Sequence, residues 1–316
     1  MQILRTIDAL ASIREPLVFG LGVFDGVHRG HQAVLMCAKE EARKIGALSG
    51  ALTFHPHPAF VLRPENVPGI LTTPQEKYRL LEYLGIEIVL EVNFTHDFAA
   101  QAPEVFIQDL WKATSGGLRG LCMGRGWAFG CKRSGNVSLL TNLGKEFGFS
   151  VFEQSPVLFQ GSEISSTRIR DFLANGNLPM VSACLGRDFS ISGEVQEGAR
   201  LARTLGFPTA NLATEGRQLP PNGVYLVKVR EDKHFFQGVA NLGVRPTVSG
   251  DKVQRLLEVH LFDFSGELYG LELEVEFQQF LRSEQKFTSL ESLRHQIAAD
   301  VEQAKKILLI SFREGR

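Results

Sequence analysis

Hydrophobic and polar positions follow one pattern in residues 1 to about 180 and another in the rest of the chain. In the first part, short apolar runs alternate with segments whose apolar residues recur at helical spacing. The predicted strands lie at 17–19, 50–54, 86–92, 120–123 and 150–152, and the predicted helices at 33–44, 75–84, 103–111 and 137–147. This alternation favours a parallel, doubly wound α/β sheet, which binds ligands beyond the carboxyl ends of its strands.

The apolar period changes to two after about residue 186. Alternating segments at 224–229, 257–262 and 272–277 predict half-buried antiparallel strands. Closure into a barrel would remove their exposed edges. A stripe at helical spacing near the C-terminus predicts a helix packed on that barrel, formed by Leu290, Leu293, Ile297, Val301, Ala304 and Leu308. We therefore predict two domains, 1–185 and 186–316.

Composition narrows the function classes. The 316 residues fit two domains, and a formal net charge of −1 gives no global electrostatic case for binding nucleic acid. The four cysteines lack Cys-x-x-Cys spacing, so a disulfide framework is not expected and a reducing cytoplasm fits. No apolar stretch reaches membrane-spanning length, and the charged N-terminus does not resemble a signal peptide. We expect a cytoplasmic protein without nucleic-acid, membrane or obligate protein partners.

Residues 20–31 join the first predicted strand to the first predicted helix and read Gly-Leu-Gly-Val-Phe-Asp-Gly-Val-His-Arg-Gly-His. Glycines at every fourth position allow a close backbone approach to a ligand. His28 and His31 lie at the helix N-terminus, which favours an anion and suits charge developing on phosphate oxygens. The two histidines could instead merely cap the helix. The pair resembles the His-x-Gly-His signature of nucleotidyltransferases.

A second phosphate-type motif occupies residues 164–170, Ile-Ser-Ser-Thr-Arg-Ile-Arg, at the start of another predicted helix. Its hydroxyl groups can cap the helix and donate to an anion, and its arginines add fixed positive charge. An ordinary capped helix with surface arginines is the alternative. Together with the histidine pair, the motif could hold both ends of a triphosphate.

Two further loops in the first part of the chain contain candidate binding residues. The loop at 55–58, His-Pro-His-Pro, makes a weak metal site and fits better as a rigid turn lining a pocket. The loop at 124–135 places Trp127 and Phe129 among glycines and basic residues. That mixture suits a planar ligand with a phosphate, and it equally suits a solvated basic loop.

Three polar residues stand out in the second part. Thr209 and Asn211 are two positions apart, so in an extended segment both side chains face the same way. Their oxygens suit Mg²⁺, although a polar turn at a barrel rim would look the same. Glu258 lies within a predicted strand and is either a general base or a solvent-facing glutamate.

In their order along the chain, these motifs resemble the bifunctional riboflavin kinase/FMN adenylyltransferase family, the prokaryotic FAD synthetases, over nearly the whole sequence. The similar segments lie at 22–31, 53–58, 71–73 with 76–77, 164–170, 205–211, 222–225, 243–247, 257–260 and 268–270. The resemblance implies an α/β doubly wound nucleotidyltransferase (Rossmann-like) domain. An antiparallel β-barrel riboflavin kinase domain with a C-terminal helix would follow it.

The resemblance also implies two reactions with ATP as co-substrate and Mg²⁺ as cofactor. In the second domain the riboflavin 5′-hydroxyl attacks the γ-phosphate of ATP, with Glu258 as base and Thr209 and Asn211 holding Mg²⁺. In the first domain FMN attacks the α-phosphorus of ATP, and His28 and His31 stabilise the transition state. The implied ATP- and phosphate-binding residues are Gly22, Phe24, Asp25, Gly26, Gly30, Ser165, Ser166, Thr167, Arg168, Gly206 and Pro208. The candidate flavin-pocket residues are His57, Trp127, Phe129 and Arg282.

Two positions depart from the family pattern. Gly126 stands where the family usually has Asp or Asn, and Ala202 where it usually has Gly. Because Gly126 lies in the first domain, an alternative is a riboflavin kinase whose first domain is impaired. An RNA-binding protein is disfavoured by the near-neutral charge, and a non-catalytic flavin sensor by the presence of Thr209, Asn211 and Glu258.

Overall fold

The computed structural model describes residues 1–197, 205–245 and 254–313. It divides into two compact units, Met1–Arg168 and Ile169–Arg316, called here the first and second unit. Ala202, one of the two departures from the family pattern, lies outside the described residues, as does the end of the similar segment 243–247. The functional boundary at 185/186 stays a prediction.

The first unit alternates strands and helices. Its strands are β1 Gln2–Leu4, β2 Leu17–Leu21, β3 Leu48–His55, β4 Ile88–Asn93, β5 Leu118–Gly124, β6 Ser150–Gln154, β7 Leu158–Phe159 and β8 Ser162–Glu163. Its helices are α1 Arg29–Lys44, α2 Pro58–Leu62, α3 Pro74–Tyr83, α4 His96–Ala100, α5 Pro103–Ala113 and α6 Val137–Phe147. Short 3₁₀ turns occupy Ile7–Ser12, Pro64–Asn66 and Cys131–Arg133. Helix α7, Ser166–Ala174, begins at the end of this unit.

A parallel six-stranded sheet, ordered β1-β4-β3-β2-β5-β6, forms the centre of the first unit. Every residue of β2 is buried, and alternate side chains point to opposite faces. Phe19 packs in the cluster that includes residues of α5 and α6, whereas Val18 packs against α1. The predicted doubly wound α/β fold is confirmed. Because β3, β2 and β5 are neighbours, the loops that follow them leave from one edge of the sheet.

The second unit is antiparallel. Its remaining elements are α8 Leu178–Leu185, β9 Phe189–Glu194, β10 Ala210–Ala213, β11 Gly223–Glu231, β12 His234–Arg245, β13 Gln254–Leu261, β14 Glu272–Arg282 and α9 Leu290–Arg313. The strand order is β10-β13-β12-β11-β14-β9. A bridge between Gln196 and Asn211 joins the two ends, so the sheet nearly closes. The predicted antiparallel barrel with a C-terminal helix is confirmed.

Helix α9 packs on one face of this sheet. Val301 and Leu308 contact a buried cluster that contains Ala304 of the same helix and Val224 and Val239 of the strands. The predicted apolar stripe therefore packs as expected over this part of the helix. Leu290, in the first turn, is 55% exposed and does not belong to the packed stripe. Within the described ranges, no helix combines the length and apolarity that crossing a bilayer requires.

Candidate functional site

The first candidate site lies in the loop between β2 and α1. His28 is the N-cap of α1, and its Nδ1 accepts a hydrogen bond of 3.2 Å from the His31 N–H. The two imidazoles stack with ring centroids 3.6 Å apart, and the Phe24 ring packs edge-on against His31. The chain thus holds both histidines as one rigid pair at the helix N-terminus.

The electrostatics of this pair favour neutral imidazole at His31. Burial, the neighbouring His28 and the Lys77 ammonium hold the pKa of His31 well below its usual value of 6.5. Its Nδ1 is buried and has no hydrogen-bond partner among the described residues. A buried polar atom of this kind is costly unless a ligand or water satisfies it. The His31 ring is therefore poised for a polar partner.

Asp25 fastens the loop to a neighbouring segment. Its carboxylate accepts hydrogen bonds from the Leu71 N–H at 2.9 Å and the Thr72 N–H at 3.1 Å. The Gly26 N–H donates to Thr72 Oγ1, and the Gly22 N–H donates to the Leu52 carbonyl. In this structure these contacts shape the loop. Direct phosphate contact by these residues stays a prediction.

The motif at 164–170 lies against the histidine loop. Ser166 Oγ donates to the Asp25 carbonyl at 2.9 Å. A Cβ on Gly30 would come within 3.1 Å of the His28 ring and 3.4 Å of the Ile164 carbonyl, so glycine permits this close approach. The structure therefore brings together the two motifs that the sequence analysis combined.

The side chains of this motif differ in whether they form hydrogen bonds within the protein. Ser165 Oγ accepts from the Arg168 N–H and caps α7, whereas Thr167 is exposed. Arg168 Nη1 donates to the Phe159 and Ser162 carbonyls, each at 2.9 Å, and so fastens the β7–β8 hairpin. The phosphate-binding role of these residues stays a prediction, because Arg168 already has structural partners.

Two polar residues near the loop, Thr53 and Lys77, lie in segments that the sequence analysis found similar to the family, but it assigned neither of them a role. Thr53 is fully buried; its Oγ1 donates to the Val23 carbonyl and accepts from Lys77 Nζ at 3.1 Å. Lys77 lines a cavity of about 60 Å³ with His57, whose Nδ1 caps α2 by accepting from the Ala59 N–H. A signal was present: Lys77 is four residues before the buried Leu81, so it belongs to the inward face of α3.

The two aromatic side chains of the loop after β5 differ in their exposure to solvent. Trp127 and Phe129 stack with centroids 4.8 Å apart. Phe129 is buried and packs edge-on against Phe106, whereas Trp127 stays partly exposed. Gly126 has a φ of +78°, and a Cβ there would meet no atom within 4 Å. Flavin contact by either ring stays a prediction.

The second candidate site is a row of polar side chains across three strands of the second unit. Glu258 on β13 pairs with Asn211 on β10 and with Asn241 on β12. Residues directly opposite across antiparallel strands share a face, here the face that carries Val224 beneath α9. Asn211 is buried, and its Oδ1 has no hydrogen-bond partner among the described residues.

His260 positions the loop that precedes β10, a role the sequence analysis missed. Its Nδ1 lies 2.9 Å from the Pro208 carbonyl oxygen, and because a carbonyl only accepts, His260 donates. The Phe207 ring packs edge-on against the same imidazole. Next to this contact, a cavity of about 470 Å³ is lined by Pro208, Thr209, Asn211 and the loop 264–269. That volume lies in the range of small-molecule sites.

The structure also shows the surroundings of two other candidate residues of the second unit, Gly206 and Arg282. Gly206 has a φ of +90° in the loop before Pro208, and a Cβ there would meet open space. Arg282 forms a bidentate pair with Asp300, with Nε–Oδ1 and Nη2–Oδ2 distances of 2.7 Å. This pair ties β14 to α9, and flavin contact by Arg282 stays a prediction.

Comparisons with known proteins agree over both halves. A family model described as FAD synthetase matches residues 10–168, and one described as riboflavin kinase matches 185–308. The chain is 39% identical to the bifunctional riboflavin kinase/FMN adenylyltransferase of Haemophilus influenzae, covering 96% of this chain and 98% of that protein. The protein of the same description from Escherichia coli K12 is also 39% identical, over 95% and 96% of the two chains.

A solved structure matches at similar coverage. The crystal structure described as a macrolide-efflux protein from Streptococcus pneumoniae has a TM-score of 0.84 and 29% identity, covering 96% of this chain and 99% of that one. The family to which this chain belongs is decided by the sequence relatives and by both family models. The chain therefore belongs to the bifunctional riboflavin kinase/FMN adenylyltransferase family.

Proposed function

We propose that this chain phosphorylates riboflavin to FMN in its C-terminal part and adenylylates FMN to FAD in its N-terminal part, using one ATP in each step. One observation carries the proposal: each matched half holds its own cluster of polar side chains suited to its reaction. These are the stacked His28–His31 pair beside residues 164–168, and the Asn211–Glu258 row.

In the kinase step, the riboflavin 5′-hydroxyl oxygen forms a bond to the γ-phosphorus, and the bond from that phosphorus to the β–γ bridging oxygen breaks. ADP leaves, and the hydroxyl proton passes to the Glu258 carboxylate. Glu258 is half-buried and lies directly opposite Asn211 in the strand register, and Asn211 lines the larger cavity. Positioning and charge stabilisation carry most of such a transfer.

The residues present fit Mg²⁺, which prefers oxygen ligands and retains several waters. Asn211 presents a buried Oδ1 without a partner among the described residues, and Thr209 lines the same cavity. The described chain holds no group of three His, Cys, Asp or Glu that could enclose an ion, so phosphates and water would complete its shell. When bound, the ion would neutralise charge on the transferred phosphate.

In the adenylyl transfer step, an FMN phosphate oxygen forms a bond to the α-phosphorus of ATP, and pyrophosphate leaves with the bridging oxygen. No protein nucleophile is needed. His28 and His31 would donate hydrogen bonds to phosphate oxygens from the N-terminus of α1, where the helix dipole also favours an anion. The hydroxyls of Ser165, Ser166 and Thr167 would hold the polyphosphate.

The kinase-only alternative rests on Gly126. The left-handed φ of that residue is one that glycine adopts freely and that Asn and Asp tolerate better than other residues. The glycine therefore keeps the backbone shape and removes only a side chain. No finding favours the alternative. The domain ranges 1–185 and 186–316, the cytoplasmic location and the absence of macromolecular partners stay predictions.

Chromatography of products tests the proposal directly. The purified chain is mixed with riboflavin, excess ATP and Mg²⁺, and flavins are separated over time. We expect FMN followed by FAD. Accumulation of FMN without FAD would refute the adenylyl transfer half and leave a riboflavin kinase.

Two variants assign the sites. Glu258→Gln should slow FMN formation by roughly 100-fold or more, the usual effect of losing a general base, and leave FAD formation from supplied FMN unchanged. His31→Ala should do the reverse. The exposed Glu291→Gln is the matched control and should retain both activities. Equal loss of both activities in one folded variant would contradict separate sites.

A further inference from the structure

Lys77 is a buried cation with too few partners. The residue is 7% exposed, and its Nζ donates one hydrogen bond, of 3.1 Å, to Thr53 Oγ1. Among the residues the structure describes, the ammonium makes no ion pair. An ammonium has three donors, and a lysine is almost never fully buried unless it is paired. Two donors of Lys77 thus await an acceptor.

The nearby carboxylates are engaged elsewhere. Asp25 accepts from the amides of Leu71 and Thr72. Glu91 accepts from Arg5 Nη1 at 2.7 Å and from the Tyr78 hydroxyl. Both carboxylates oppose the lowering of the Lys77 pKa that burial causes. They therefore help to keep the ammonium charged without contacting it.

Lys77 lines a cavity that also borders the loop between β2 and α1. The cavity of about 60 Å³ that it lines is bounded by the 55–58 loop and by Asp25 and Thr72. This exceeds the roughly 10–15 Å³ that a cavity needs, on the same measure, to hold one water. The charge of Lys77 acts on His31, whose buried Nδ1 has no hydrogen-bond partner among the described residues. A cation and an unsatisfied imidazole therefore lie in one region of the first unit.

We propose that Lys77 binds a phosphate oxygen of the adenylyl transfer reactants through the donors that Thr53 leaves unused. The inference rests on the proposed function and adds a substrate-binding residue to it. The reaction must bring two anions together, and a desolvated ammonium offsets their repulsion more strongly than an exposed one. The recognised group is a phosphate, carried either by FMN or by ATP.

The test is Lys77→Met in the full chain, with the exposed Lys145→Met as matched control. FAD formation is measured with FMN and ATP varied separately, and riboflavin kinase activity is measured in the same preparations. We expect kcat/KM for FAD formation to fall roughly tenfold to a hundredfold in Lys77→Met, as for loss of a hydrogen bond to a charged group. The kinase and the control variant should be unchanged.

The kinetic split identifies the phosphate. A raised KM for FMN alone assigns Lys77 to the FMN phosphate, and a raised KM for ATP alone assigns it to ATP. Either result supports the proposal. Kinetics equal to those of Lys145→Met would overturn it.

A second variant distinguishes a phosphate-binding role of Lys77 from a purely structural one. Thr53→Val removes the present partner of Lys77 and keeps the ammonium. If Lys77 serves only that hydrogen bond, both variants will lose FAD formation equally with KM unchanged, which would overturn the inference. A wild-type chain that forms no FAD overturns the proposed adenylyl transfer itself. An active wild type with an equally active Lys77→Met overturns only the role of Lys77.

Discussion

At the scale of single residues, contacts decide what each candidate can do. His28 and His31 are three positions apart, so they meet on the first turn of α1, and their stacking fixes both rings. Burial, with added effects of the neighbouring His28 and Lys77, disfavours the charged form of His31. His31 is therefore held as an oriented, neutral imidazole, and the role of either histidine toward a substrate stays a prediction.

His31 should remain neutral well below the pH at which a free histidine titrates. Its folded-state pKa is lowered from 6.5, so the ring nitrogens should show no titration step between pH 8 and 6.5 in ¹H–¹⁵N spectra. His31→Asn assigns the resonance. The urea-unfolded chain, whose histidines titrate near their usual value of about 6.5, is the reference.

The same shift has a consequence for stability. Between the lowered folded pKa and about 6.5, the unfolded chain binds a proton that the native chain does not, so the contribution of His31 to stability falls as the pH drops below about 6.5. A native titration step at or above 6.5 would contradict this account of the pair.

At the scale of elements, α9 is held to the sheet by an apolar stripe and by one buried ion pair. Val301, Ala304 and Leu308 contribute the apolar contact. Arg282 and Asp300 contribute the ion pair, with side chains 17% and 4% exposed. Removing one partner leaves the other charge buried and uncompensated, which costs more than the pair itself contributes.

Asp300→Asn should therefore lower the free energy of unfolding of the second unit by about 3–5 kcal/mol. Hydrogen exchange across a urea series, followed on peptides from β14 and α9, measures this. Asp263→Asn is the matched control, because its contact with Lys305 is exposed and such pairs contribute about 0–1 kcal/mol. A loss no larger than that of the control would show that the pair does not anchor α9.

At the scale of the whole molecule, each unit builds its candidate site from its own residues. The first uses the carboxyl edge of a parallel sheet, where helix N-termini collect. The second uses one face of a nearly closed antiparallel sheet, where cross-strand neighbours align polar side chains. FMN, the product of one proposed reaction, is the substrate of the other.

Mixing two single-site variants tests this division. Glu258→Gln and His31→Ala should each fail to convert riboflavin to FAD, and an equimolar mixture should form FAD because FMN can diffuse from one chain to the other. The rate should rise with protein concentration. A mixture that forms FMN and no FAD, while Glu258→Gln alone still uses supplied FMN, would contradict release of FMN from the chain.

Much of the fold could be predicted from local patterns. The helix expected at 137–147 has those bounds in the structure, and the change of period near 186 separates parallel from antiparallel architecture. Strand β1 went unpredicted because it has only three residues, and β9 because Phe189 and Ile191 are its only apolar side chains. Strand β12 went unpredicted because polar residues and glycines interrupt its pattern. The spacing of residues within each motif was enough to indicate phosphate chemistry and the family. Such spacing can be recognised without knowing which distant residues pack against the motif.

Only the tertiary structure decided which side chains meet. Lys77 reaches Thr53 across 24 residues, His260 reaches Pro208 across 52, and Arg282 reaches Asp300 across 18. No periodic pattern encodes such pairs, because each depends on how separate elements pack. By itself the sequence determined the type of most of the longer elements, the two architectures and the positions of the polar motifs. Packing decided which charges are buried and which donors are left for a ligand, since burial is a property of neighbours brought together by folding.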